Sequence, residues 1–132
     1  MNGLKSARSS MNVPATVKAL RRCIDEQGAT VFAVIDHGAA AAQGDLRLPA
    51  TQLVIFGRPL TGTALLQDCP QLAIDLPLRI LVRDDGATGA VVTWQDPEFV
   101  ARRFGLTAEE SRPLHAAGEV VSAVLQQPVS AY

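Results

Sequence analysis

Leu78-Arg79-Ile80-Leu81-Val82-Arg83 and Ala90-Val91-Val92-Thr93-Trp94-Gln95 are apolar, β-branched runs joined by Asp84-Asp85-Gly86-Ala87-Thr88-Gly89. Runs of this composition favour strands, and an Asp- and Gly-rich connection with no helical pattern turns the chain back on itself. The pair therefore reads as an antiparallel hairpin whose loop is too long for a two-residue turn. Upstream, Thr30-Val31-Phe32-Ala33-Val34-Ile35 is almost continuously apolar and predicts a strand covered on both faces, or on one face by helices. Gln52-Leu53-Val54-Ile55-Phe56 predicts another, stopped by Gly57-Arg58-Pro59 because proline cannot donate to a ladder.

Helices surround these strands. Val13, Val17, Leu20 and Ile24 form one stripe at helical spacing, with Pro14 in the first turn and Gly28 as the stop, and Cys23 falls at the margin of that stripe. Gly38 to Gln43 reads as a short alanine-rich helix closed by a left-handed Gly44. Leu60 to Cys69 reads as a helix with Leu65 and Leu66 inward, Thr61 or Thr63 as cap, and Pro70 just beyond. Asp96-Pro97-Glu98 opens a helix that Gly105 stops, and Thr107-Ala108-Glu109-Glu110 has capping-box spacing. Pro113 predicts a break near Ser111, after which Leu114, Gly118, Val121 and Leu125 make a final stripe ending before Pro128. Residues 1–10 suit a short strand or a loose terminus, with the strand preferred, and residues 11–132 make one domain. Strand pairs mixed with short helices indicate an α+β class rather than a regular βαβ succession.

Size and charge agree with one such domain. The chain has 132 residues, 48% of them hydrophobic, enough to bury roughly two-thirds of the unfolded surface without staples. Twelve Lys and Arg against thirteen Asp and Glu give a formal charge of -1, so the basic footprint of a nucleic-acid binder is missing. No apolar run approaches the roughly 20 residues of a membrane span, and the first ten residues lack a secretory apolar region, so the expected location is cytoplasmic. Cys23 and Cys69 lie far apart and, with only His37 and His115 beside them, indicate no metal site, no disulfide framework and no cofactor.

Three segments together resemble a known family: Gly28 to His37, Thr51 to Pro59 and Asp75 to Val82, with the Thr61-Gly62-Thr63 step. They resemble domain of unknown function 302, DUF302, over about Val13 to Phe104. One departure is Arg58, which stands where the family carries a small or amide residue. The resemblance implies an antiparallel sheet backed by helices, similar to the TATA-box-binding-protein-like architecture, and a homodimer. It implies no reaction and, since fold does not carry function, no DNA binding.

Candidate chemistry falls at three places. His37 ends a strand and starts the alanine-rich helix, where the helix dipole favours a neutral ring; its other reading is a helix cap. Gly57, Arg58, Thr61, Gly62 and Thr63 form a turn leading into a helix, where free amides, a hydroxyl and a guanidinium can hold a small anionic ligand; the glycines alternatively serve only turn dihedrals. Asp75, between Ile74 and Leu76, needs a partner if buried, and Arg79 is available. The sequence thus points to a homodimeric small-molecule or anion-binding domain with its site joining His37 to the 57–63 turn. The alternatives are a small enzyme using His37 and Asp75 as acid–base groups, and a purely structural interaction module.

Overall fold

The computed structural model describes residues 2–130, with side chains to residue 125; residue 1 of the expected N-terminal segment and residues 131 and 132 of the expected domain lie outside the described residues. In chain order the elements are β1 (Leu4–Ser9), α1 (Val13–Glu26), β2 (Thr30–Asp36), α2 (His37–Gln43), β3 (Thr51–Gly57), α3 (Pro59–Asp68), a 3₁₀ helix (Pro70–Asp75), β4 (Leu78–Arg83), β5 (Ala90–Gln95), α4 (Pro97–Phe104), a second 3₁₀ helix (Arg112–His115) and α5 (Ala116–Ser130). The five strands make one antiparallel sheet in the order β1-β5-β4-β3-β2, and this is the expected α+β architecture.

The core lies between one face of the sheet and the helices α1 and α5. Val54 pairs with Ile80 and Val82 with Val92, so alternate residues of β3, β4 and β5 form a continuous apolar floor. The α1 stripe Val13, Val17, Leu20 and Ile24 packs on it beside Val120, Val121 and Val124 of α5. Asn12 caps α1 by accepting from the Ala15 amide at 2.9 Å. Cys23 is buried rather than marginal, because α1 packs against α5 as well as the sheet and needs a wider apolar face. The buried hydroxyls of Ser9 and Thr16 satisfy each other at 2.8 Å where β1 turns into α1.

Several expected boundaries move for identifiable reasons. β2 has helices on one face only and sits at the sheet edge, so Phe32, Ala33 and Ile35 are exposed. A bulge between Val31 and Ala33 makes Val31 and Val34 its two inward residues, a spacing of three that hides the usual alternation. At the end of α2 the left-handed residue is Asp45, not Gly44, and the Leu46 amide reaches back to Ala41 at 3.0 Å. The Thr107–Glu110 capping box forms reciprocally, at 2.9 and 3.1 Å, yet closes a turn before the second 3₁₀ helix instead of starting an α-helix. α5 runs past Pro128, since a proline so near a helix end removes a single bond of the last turn. Among the described residues no helix is long and apolar enough to cross a membrane.

Candidate functional site

A cleft of about 530 Å³ opens at the end of the sheet where β3 finishes and β4 begins. Its floor is the cross-strand pair Phe56 and Leu78. One wall is α3, which starts abruptly because Pro59 occupies its first turn after the extended Arg58. No side chain caps this helix: the Thr63 hydroxyl instead donates back to the Pro59 carbonyl at 2.8 Å, so neither Thr61 nor Thr63 has the expected capping role. Leu76 and Pro77, just before β4, also line the cleft, as do Arg112, Pro113 and Leu114 from the segment where the chain breaks before α5.

Five of the anticipated residues therefore meet at this cleft: Gly57, Arg58, Thr61, Gly62 and Thr63. Arg58 is exposed and its Nη2 donates to the Gln27 carbonyl, which ties the α3 entrance to the end of α1. Neither Gly57 nor Gly62 has a positive φ, so turn dihedrals do not account for them. Arg112 and Glu119 also line the cleft, and sequence reasoning missed both. The one local signal was Pro113, which predicts the chain break, but nothing near Arg112 or Glu119 in sequence says that this segment lies beside α3. Among the described residues neither Arg58 nor Arg112 has an ion-pair partner.

His37 and Asp75 do not join them. Asp36 pairs with Gln52 at the start of β3, whereas the cleft sits beyond Gly57 at its far end, so strand direction puts His37 at the opposite end of the sheet. His37 is exposed, and the cap of α2 is Asp36, which accepts from the Ala39 amide at 2.8 Å. The expected grouping of His37 with the 57–63 turn is thus corrected by the strand register. Asp75, 9% exposed, pairs with Arg103 at 3.3 Å and Arg79 at 3.7 Å, beside a separate void of about 20 Å³. Asp75 precedes β4 while His37 lies beside its far end, since Gln52 pairs with Val82, so an acid–base pair of these two residues has no geometric basis.

A family model described as domain of unknown function DUF302 matches residues 5–127. The chain belongs to the DUF302 family. Its fold is similar to the crystal structure of the uncharacterized conserved DUF302 protein from Bacillus stearothermophilus, with a TM-score of 0.78 over 96% of this chain and 98% of that one. At 11% identity that likeness shows the fold alone. Two Brucella proteins, the fluoride-specific ion channel FluC 1 of Brucella suis and FluC 2 of Brucella melitensis, are each 38% identical to this DUF302 chain over 105 residues. The match takes in 80% of this chain but 41% and 39% of those proteins, so the chain spans about two fifths of the length of these curated relatives.

Proposed function

We propose that this DUF302 chain is a binding domain whose cleft between α3 and the start of α5 receives a small molecule. The observation that carries the reading is the convergence of Gly57, Arg58, Thr61, Gly62 and Thr63 on one concave, mostly apolar space of about 530 Å³. Ligand sites are commonly clefts of about 300–1,000 Å³ with a few polar groups set in apolar walls. A metabolite library screened by thermal shift tests it. Hits are expected to vanish in Ala73→Trp, which fills the cleft from an exposed position on its wall. A library without hits, or hits indifferent to that substitution, would sink the reading.

The channel relatives bear on this chain only through the shared stretch. Conduction across a bilayer needs apolar spanning helices or a closed barrel. The described residues contain no such helix, and their sheet is open at β1 and β2. The reading is therefore an accessory unit working beside a permeation path rather than the path itself. Fluoride is also a poor match to the cleft, because a small, strongly hydrated ion would lose its water to leucine walls.

A second copy of the chain is the partner we favour. β2 is an edge strand with Phe32 46% and Ile35 41% exposed and no charge before Asp36. An open apolar edge of this kind is a template for another strand, and antiparallel pairing of two β2 strands is self-complementary.

A further inference from the structure

The class of ligand is written into three features of the cleft wall, given that the cleft is the ligand site. The first is the apolar interior, built from Phe56, Leu65, Leu66, Leu76, Leu78 and Leu114. A purely inorganic anion would leave the half-buried Leu65, Leu66, Leu76 and Leu78 facing water, whereas Phe56 and Leu114 are already covered by the protein. The second is charge: Arg58 and Arg112 reach the cleft against one carboxylate, Glu119. The Arg58 guanidinium spends one donor on the Gln27 carbonyl and keeps the rest, while Arg112 has no side-chain bond to any described residue. Guanidinium groups favour the planar, two-oxygen geometry of carboxylates.

Gly62 is the third feature. It lies within α3, where glycine is the poorest helix former after proline. Its φ is not positive, and a Cβ built there would meet nothing within 4 Å. Neither dihedral nor packing calls for glycine, but the missing side chain keeps open a stretch of wall that the cleft uses.

We propose that the cleft takes an organic monoanion with an apolar body, of the chemical class of a medium-chain carboxylate. The body lies against the leucines and the bare Gly62 backbone, and the head group is held by Arg58 and Arg112. A cationic amphiphile is disfavoured by those two guanidinium groups, and a neutral one leaves them unused.

The test titrates the full isotope-labelled chain with decanoate, 1-decanol, decylamine and acetate, the amphiphiles kept below their solubility or micellar limits, and follows the amide resonances of the cleft. Decanoate is expected to bind at least about tenfold more tightly than decanol, the scale of a charge-assisted hydrogen bond. Decylamine should bind more weakly than decanol, and acetate should not saturate. The double change Arg58→Gln with Arg112→Gln should bring decanoate down to the level of decanol. Gly62→Leu should abolish binding with no loss of melting temperature, because leucine is the better helix former. If decanoate binds no tighter than decanol, or the double variant leaves its affinity intact, the anionic class is overturned while the cleft remains the site. If no amphiphile gives saturable shifts at the cleft, or Gly62→Leu binds as the parent does, the cleft itself is overturned as the site.

Discussion

Asp75 shows how a residue singled out for chemistry can be structural. Its carboxylate is nearly buried between Arg79 and Arg103, and the latter guanidinium also stands 5.4 Å from the Phe104 ring centre. Asp75→Ala should cost about 1 kcal/mol by denaturant unfolding, because the carboxylate is nearly buried but both arginines are more than a third exposed and water takes over their donors, and it should leave ligand binding at the cleft unchanged. Cys23 makes a second prediction. Burial, and after it the Glu26 carboxylate, push its thiol above the ordinary value. The thiolate is the reactive form, so in the folded protein Cys23 should react far more slowly with a disulfide reagent than half-buried Cys69. Raising the pH should speed Cys23, and unfolding should make the two alike. The Asp75–Arg79 pair was legible from sequence as a partner four residues away; Arg103 was not, because nothing local brings α4 beside the first 3₁₀ helix.

Elements with local instructions were the most legible. α4 begins at Asp96 and ends at a left-handed Gly105 as its capping residues dictate, and β4 and β5 pair as the turn between them required. β2 was harder, since a bulge and an edge position are decided by which strand lies beside it. The β4–β5 turn carries a pH-dependent tie of its own. Asp85 receives the Arg8 guanidinium from β1 and the Ala87 amide, and these hold its carboxyl below the usual carboxylate range. A carboxyl depressed by folding adds stability above its unfolded pKa and loses it as pH falls through the folded value. Asp85→Asn should therefore weaken the protein slightly at neutral pH, and the difference from the parent should close in acid, as followed by thermal melts across pH. The pair is solvent-exposed, so added salt should shrink the neutral-pH effect.

For the molecule as a whole, the site was half legible. The 57–63 turn announced itself by its glycine, arginine and threonines, but the cleft also needs Leu76 and Arg112, which come from segments far along the chain. Which end of the sheet a residue occupies depends on register, and that is why His37 was grouped wrongly. The exposed β2 edge yields a prediction about assembly: light scattering should find a dimer, and Ile35→Lys, a charge of the kind that protects natural edges, should give a monomer with its melt little changed. A monomeric parent would refute the dimer. One further consequence follows from β1 pairing with β5, which joins Leu4 to Gln95 across most of the chain. Contacts so distant in sequence must be bought with a long loop closure, whereas β4 and β5 meet through a short turn. Pulse-labelled hydrogen exchange during refolding should find the β4 and β5 amides protected early and β1 last, so the first strand made is the last to enter the sheet.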